Sequence, residues 1–434
     1  MQVSKFNIVS KLKNSSEFFI VNLLSGNADI ISPEEVKFLE DNLHQAPKEF
    51  FVKGYLVNPA EELMQYRLKY IDFIEKREQE EVQVFFVPTY LCNFSCSYCY
   101  QSEYPVSPVE LNPQIIEAFF NFLNTKLKDR KKYITLFGGE PFLSGKTYKD
   151  SLASFFELCT ANDLELAVVT NGYNLDEYLE LLSGLSVREI QVTLDGLQEV
   201  HNQRRPLKGG LPSFTRIVEN IDRCLAMGFT VNLRVVADRQ NMHELPALAR
   251  FAIEKGWTKK PNFKTQLGRN YELHYCQSAQ SKLFSRVELY QELYHLINNN
   301  PEILEFHKPA FSISKFLAEN GTLPEPLFDS CPACKSEWAL DYSGKVFSCT
   351  ATVGKPGEEL GTFYPEIKLD ESTISAWQER DTLHIEKCAS CNLQLACGGG
   401  CGSVAKNQHG ALLTPDCRPV KELLELGIDL YFRD

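Results

Sequence analysis

No apolar run in these 434 residues approaches the ~20 needed to cross a bilayer; Phe18-Phe19-Ile20-Val21 is among the longest. The N-terminus lacks the basic, apolar, small-residue order of a secretory signal, so a cytoplasmic protein is expected. No run of Lys or Arg occurs and the formal net charge is −12. That balance argues against a general nucleic-acid binder and against a phosphate-tracking surface. An acidic surface favours solubility and, more weakly, basic peptide or protein partners. Disorder is excluded by 44% hydrophobic and 24% charged residues. The length suits two or three domains.

What the sequence has in abundance is cysteine, 14 in all. In a reducing compartment these call for an explanation other than disulfides. Three fall at 92–99 and eight between 331 and 417. Cys159, Cys224 and Cys276 stand alone and read as small buried hydrophobes. The first group lies in Pro88-Thr89-Tyr90-Leu91-Cys92-Asn93-Phe94-Ser95-Cys96-Ser97-Tyr98-Cys99-Tyr100. Four thiolates close a zinc site or saturate an iron–sulfur cubane, whereas three leave one iron of a [4Fe–4S] cluster open to a substrate or cofactor. The competing reading is a partial zinc knuckle. The C-x3-C-x2-C spacing, with Tyr98 before the last Cys, resembles the cluster loop of the radical S-adenosylmethionine (SAM) enzymes. The resemblance implies that Cys92, Cys96 and Cys99 hold a cluster whose open iron takes SAM's amino and carboxylate groups. It also implies reductive cleavage of SAM to a 5′-deoxyadenosyl radical.

From residue 82 short apolar runs alternate with amphipathic stretches. Strands are expected at 82–87, 133–137, 165–169, 189–194, 230–236 and 262–267. Helices are expected at 112–127, 148–160, 175–184, 213–227 and 243–255. Such alternation predicts an α/β fold with right-handed crossovers and a parallel sheet. Six units match the partial (βα)6 TIM-like barrel of the family, over 81–267. In parallel barrels chemistry gathers at the C-terminal strand ends, and the remaining motifs fall there. Phe137-Gly138-Gly139-Glu140-Pro141 follows the second strand. Its glycines permit close backbone approach to a ligand, and its carboxylate suits an ammonium. It resembles the family's GGEP motif, which contacts SAM's amino group. Thr170-Asn171-Gly172 follows the third strand, and Thr193-Leu194-Asp195-Gly196 ends the fourth. By resemblance Tyr98, Gly138, Gly139, Glu140, Thr170, Asn171, Thr193 and Asp195 form the SAM site. Arg205, in the stretch His201-Asn202-Gln203-Arg204-Arg205-Pro206, is a fork of donors suited to SAM's carboxylate. Gln266-Leu267-Gly268 on the sixth strand is expected beside adenine. Asp195, Glu199, His201 and Asp341 are candidate general bases, among which the sequence does not choose.

Residues 1–80 read as a small α+β module. A strand at 17–24 meets the turn Ser25-Gly26-Asn27, Ser32-Pro33-Glu34-Glu35 starts a helix, and 50–57 suggests a second hairpin about Gly54. A charged helix at 60–80 follows. The winged-helix-like order is similar to the leader-peptide recognition element of peptide-modifying enzymes, and a plain N-terminal cap explains it as well. Residues 268–330 form a helical bridge, with Pro324-Glu325-Pro326 leading into 331–434.

That last region carries Cys331, Cys334, Cys349, Cys388, Cys391, Cys397, Cys401 and Cys417. Eight thiols fill two four-coordinate clusters, and C-x2-C pairs also bind zinc. The gaps resemble the SPASM extension of radical SAM enzymes acting on peptides and proteins, a loop-rich iron–sulfur domain with two auxiliary [4Fe–4S] clusters. The family's ligand assignment places Cys331, Cys334, Cys349 and Cys401 on one cluster. Cys388, Cys391, Cys397 and Cys417 fall on the other. Fully coordinated auxiliary clusters suit electron transfer or a structural role, hence an oxidation. The sulfatase-maturing relatives place an Asp directly after the cysteine corresponding to Cys349, where this chain has Thr350. The expectation is therefore a maturase installing a thioether, carbon–carbon or ether crosslink in a ribosomally made precursor peptide. Flavodoxin or ferredoxin would donate electrons, with neither nucleic acid nor membrane as partner. Alternatives are action on a folded protein or small molecule, peptide epimerisation, and a non-enzymatic zinc-binding adaptor.

Overall fold

Six apolar runs between amphipathic helices build one wall-to-wall parallel sheet. In the computed structural model, which describes residues 1–40, 46–103, 111–269 and 282–433, these are β1 (Val82–Val87), β2 (Lys132–Leu136), β3 (Leu166–Thr170), β4 (Val187–Thr193), β5 (Val231–Ala237) and β6 (Phe263–Arg269). They pair in sequential order, each parallel to the next. Every expected strand is present to within two or three residues.

The helices bind to the outside because one stripe of each is apolar. The helix Pro113–Lys126 begins at Asn112, whose side chain caps Gln114 N, with Pro113 at the first helical position. It buries Ile115, Ile116, Phe119, Phe120, Phe122 and Leu123. Phe119 sits 4.6 Å from Phe86 of β1, and Phe86 stacks at 5.0 Å on Phe155 of the next helix, Lys146–Ala161. Each such ring removed from water contributes about 1.5–3 kcal/mol. Truncating Phe86, 0% exposed, to Ala is expected to cost ~3–5 kcal/mol.

The sheet does not end at β1. Strand β7 (Glu337–Asp341) pairs in parallel with β1, Ala339 opposite Phe85. Then β8 (Lys345–Phe347), β9 (Glu359–Thr362) and β10 (Lys368–Leu369) add antiparallel, so ten strands run in one sheet. The first thiols of the C-terminal field thus flank a strand of the barrel sheet. Helices Arg286–Asn299, Ile303–Phe306 and Ser314–Asn320 fill the bridge.

The N-terminal residues form a three-stranded antiparallel sheet, Asn7–Lys11, Phe18–Asn22 and Asn27–Ile31, followed by the helices Pro33–Glu40 and Pro59–Gln79. The expected second hairpin at 50–57 is corrected. Pro47 initiates a short helix, Lys48–Val52, and Gly54 at φ 73° ends the turn. Leu56–Val57 pairs instead with Gln2–Val3. Aromatic and β-branched content favoured a strand, but Phe50 is buried through a helical turn that Pro47 and Gly54 define. This module is cemented to the C-terminal region: Phe6, Ile8 and Tyr66 share a core with Phe328, Leu395, Cys397 and Leu424.

Candidate active site at the barrel mouth

The loop after β1 carries Cys92, Cys96 and Cys99, and all three thiols border one cavity of about 770 Å³. The structure shows why Gly138 and Gly139 stand where they do. Gly139 N donates to Thr89 O at 3.0 Å and Glu140 N to Leu91 O at 2.8 Å. A Cβ at Gly139 would lie 2.2 Å from Leu91 O, and one at Gly138 would lie 2.6 Å from Thr89 O. The backbone these glycines approach is therefore the thiol loop itself, which they lock against the tip of β2. Both also border the cavity.

Glu140 is 1% exposed and its carboxylate is already engaged. Oε1 accepts from Phe142 N at 2.9 Å and Thr170 Oγ1 at 2.6 Å, and Oε2 accepts from Asn171 N at 2.6 Å. It ties the tip of β2 to the tip of β3. Burial raises its pKa, and those three donors pull it back. Asn171 Nδ2 donates in turn to Asn93 Oδ1 at 2.7 Å, inside the thiol loop.

On the opposite side Tyr98 donates to Asp195 Oδ2 at 2.5 Å and accepts from Arg205 Nη1 at 2.6 Å. Asp195, 0% exposed, also accepts from Val236 N at 2.9 Å and lies 3.5 Å from Arg204 Nε. Arg204 Nη1 donates to both carboxylate oxygens of Asp238, at 2.9 and 3.0 Å. Of the residues expected around SAM, Tyr98, Gly138, Gly139, Thr170, Asn171, Thr193 and Arg205 border the cavity, as does Gln266. Glu140 and Asp195 stand behind them as braces.

The base candidates lie elsewhere. His201 is 0% exposed, accepts from Asp195 N at 3.3 Å and lies 3.2 Å from Ser213 Oγ. Burial, then Arg205 and Arg204, depress its pKa well below the usual value, so the ring is neutral. Asp341, 2% exposed, accepts from Tyr90 Oη at 2.9 Å and caps the turn at Ser343. Glu199 is exposed on the helix Gln198–Arg204. Thr350 does reach the cavity wall, and its N and Oγ1 donate to Glu337 Oε1 at 2.7 and 3.0 Å.

No disulfide joins any of the thirteen described cysteines. Cys159 and Cys224 sit at 0% exposure in the core, whereas Cys276 lies outside the described residues. Burial lifts the Cys92 thiol to about 12, with Glu140, Cys96 and Cys99 adding to the effect. In the C-terminal field burial holds Cys349 well above its ordinary value, followed by Glu337, Cys331 and Cys401. Cys334 is raised by burial and then by Cys331. Burial, Cys397, Cys391 and Cys417 push Cys388 up to about 11. Cys331 is thus an electrostatic neighbour of Cys334, Cys349 and Cys401, and Cys388 of Cys391, Cys397 and Cys417, but among the described residues no three or more Cys, His, Asp or Glu stand close enough together to hold a metal ion.

Sequence reasoning missed Arg380. It is 0% exposed and donates to the carbonyls of Leu412, Gly399, Gly400 and Thr414 at 2.9–3.0 Å. It holds the Gly398–Gly400 turn that joins Cys397 to Cys401, whose residues have φ of 61°, 75° and 71°.

A family model of the Radical SAM superfamily matches residues 86–252, the stretch that carries the thiol loop and β1 through β5. The chain carries a radical SAM domain. A GTP 3′,8-cyclase of Nautilia profundicola is 31% identical over 192 residues, 43% of this chain and 57% of the cyclase, so the likeness spans little more than half of that relative. Two solved structures share the fold of the radical SAM domain and its surroundings. Native anSMEcpe with bound AdoMet and Kp18Cys peptide aligns at TM-score 0.63 and 18% identity, covering 81% of this chain and 98% of that one. Streptococcus suis SuiB bound to precursor peptide SuiA aligns at TM-score 0.54 and 14% identity, covering 96% and 98%. The second match extends over nearly the whole length, beyond the radical SAM domain. Among the described residues no helix is long and apolar enough to cross a membrane.

Proposed function

We propose that the chain is a radical SAM peptide maturase that oxidatively modifies a ribosomally made precursor peptide, forming a side-chain crosslink. The observation that carries this reading is the set of eleven cysteines, three at 92–99 that all border the cavity and eight at 331–417 in the spacing described above. Cys92, Cys96 and Cys99 would hold one [4Fe–4S] cluster. Cys331, Cys334, Cys349 and Cys401 would hold a second, and Cys388, Cys391, Cys397 and Cys417 a third. The three cysteines at 92–99 stand beside a partly polar cavity, which suits a cluster with an open iron, whereas the assignment of the other eight follows their spacing, because among the described residues no three or more Cys, His, Asp or Glu stand close enough together to hold a metal ion. Bound at these residues, the cluster and SAM would supply hydrogen-atom abstraction, and auxiliary clusters held by the eight C-terminal cysteines would supply an acceptor for the surplus electron. Around them Gly138 and Gly139 press the thiol loop into place, and Glu140 fixes Thr170 and Asn171. Tyr98, held by Asp195, sets the Arg205 guanidinium for a carboxylate.

The peptide reading is supported by the N-terminal module and by the peptide-bound neighbours of the same fold. Strand Asn7–Lys11 is an edge of its sheet, and a groove of about 630 Å³ runs between it and the helix Pro33–Glu40. An extended leader segment adds to such an edge through backbone hydrogen bonds. The absence of a carboxylate at Thr350 separates this chain from the formylglycine-forming pattern described above. Protein prepared without oxygen, with iron and sulfide supplied, should be brown and bind about twelve irons. With reductant, SAM and its peptide it should release 5′-deoxyadenosine and remove two mass units per crosslink, since each new bond expels two hydrogens. A colourless zinc protein under those conditions would sink the reading, and 5′-deoxyadenosine with unchanged peptide mass would replace the crosslink with epimerisation.

A further inference from the structure

The cavity has a feature that binding SAM at its mouth does not use. Below the thiols the lumen is lined by inward side chains of β1 through β6, among them Gln83, Thr135, Gln191, Asn232 and Arg234. Its lining carries four arginines and one lysine against a single glutamate, although the chain as a whole carries −12. Most of these cations are already engaged. Arg188 pairs with Glu81 at 2.6 Å and Glu165 at 2.7 Å and lies 4.0 Å over the Tyr133 ring. Lys264 lies 3.7 Å from Glu189, a carboxylate on the same wall. Arg205 is bonded to Tyr98, and Arg269 donates to Phe284 O at 2.7 Å.

Arg234 is different. It is half-buried, borders the cavity, and makes no side-chain hydrogen bond or ion pair among the described residues. Its backbone pairs with Gln266 of β6, but its guanidinium reaches one inward step toward the strand tips, to Gly268 opposite Val236. A Cβ on Gly268 would come 3.3 Å from Nη2 and 3.5 Å from Nε, so the missing side chain leaves the guanidinium its place. A guanidinium held in a confined polar lumen, partly withdrawn from water and unpaired, is poised for a planar anion that its fork can meet with two parallel hydrogen bonds.

We propose that Arg234 anchors a carboxylate of the substrate in the barrel lumen, so that the peptide segment entering the cavity presents an acidic side chain or its C-terminal carboxylate. The claim rests on the reading of this cavity as the site of peptide modification, and it names what that reading leaves open, the chemical class of the group brought to the site. The carboxylate would meet the guanidinium near Gly268, on the side toward the strand tips. Glutamine in place of the acid would leave the guanidinium without a counter-charge.

The test uses the full-length, iron-loaded protein and three short probes read by ligand-observed NMR without turnover. These are N-acetyl-Gly-Glu-Gly-amide, its Gln counterpart, and N-acetyl-Gly-Gly-Gly with a free C-terminal carboxylate. The Glu probe or the free-carboxylate probe should bind on the order of tenfold more tightly than the Gln probe. Whichever of the two does so identifies the source of the carboxylate. Arg234→Gln should remove that preference, while Arg234→Lys should keep part of it, retaining charge without the fork. Equal binding of all three probes to the parent protein would overturn the proposal. So would a preference that survives in Arg234→Gln, tighter displacement by inorganic triphosphate than by the acidic probe, or a larger loss of affinity for SAM than for the probe. SAM cleavage by the parent protein is measured alongside and judges the radical reading separately, because probe binding is read with no reaction taking place.

Discussion

Replacing Glu140 with Ala tests whether that carboxylate is a brace between strand tips. Three donors converge on it, Phe142 N, Thr170 Oγ1 and Asn171 N, at 2.6–2.9 Å. Removing the acceptor strands buried donors at about 1–3 kcal/mol each. Thr170 Oγ1 can rotate its proton and the two amides cannot, so the expected loss is ~3–5 kcal/mol. A domain total is only about 5–15 kcal/mol. Glu140→Gln is milder, because its carbonyl can still serve Phe142 N and Thr170 Oγ1 while its amide opposes Asn171 N–H. That leaves one broken bond and one unpaired donor, roughly 1.5–3 kcal/mol. At ~2–4 °C per kcal/mol for a domain of this size, Ala should lower the anaerobic Tm by about 6–20 °C and Gln by about 3–12 °C. Both should loosen the thiol loop through Asn171 and Asn93. Scanning calorimetry of the iron-free proteins provides the comparison. An Ala variant melting within a degree or two of the parent, with only SAM affinity reduced, would refute the brace and make the carboxylate a direct ligand.

Other consequences follow from the same geometry. Ala at Cys96 should remove about four of twelve irons and abolish SAM cleavage, whereas Ala at Cys391 should remove about four while leaving cleavage measurable; iron assay and 5′-deoxyadenosine chromatography read both. Gly139→Ala should prevent the thiol loop from seating, since its Cβ would lie 2.2 Å from Leu91 O, and circular dichroism melts with iron uptake check it. His201 is depressed well below 6.5 by burial, and His307, also by burial first, to about 4. Their folded pKa values lie below the unfolded ones, so the stability they contribute is present above pH 6.5 and lost as pH falls toward 4. The slope is at most ~1.4 kcal/mol per pH unit per group, measured by denaturant titration of the iron-free protein between pH 7 and 4.5. Tyr66→Phe should cost about 1 kcal/mol by deleting its 2.7 Å bond to Gln394, which lies between Cys391 and Cys397.

Much of this fold was legible because parallel strands buried on both faces read as continuous apolar runs, as Val84–Val87 does within its strand. The N-terminal helix Lys48–Val52 was not, because Phe50-Phe51-Val52 has strand composition and only Pro47 and Gly54 disclose the turn. Gly138 and Gly139 were visible as a motif, but their reason was hidden. The backbone they meet lies about 50 positions upstream, and sequence spacing carries no information on that approach. Arg234 was passed over as an ordinary polar residue in a strand. A signal was available, since Asn232 and Arg234 alternate with Val231, Leu233 and Val235 in a strand expected to be covered on both faces. Polar alternation in a parallel strand marks a wet lumen, and Gln83, Thr135 and Gln191 repeat it. Arg380 gave no local signal, because its acceptors are four carbonyls brought together only by the folded glycine turn.

Strand β7 has a consequence for synthesis. Its partner β1 leaves the ribosome about 250 residues earlier, which at ~5–20 residues per second is on the order of 12–50 seconds. During that interval the β1 edge, with Phe85 and Phe86 in its row of unpaired backbone groups, has no neighbour on one side. The nascent barrel is thus born with an open seam that only the C-terminal half closes. A chain stopped short of residue 337 would keep that seam permanently and should aggregate rather than remain as a free barrel.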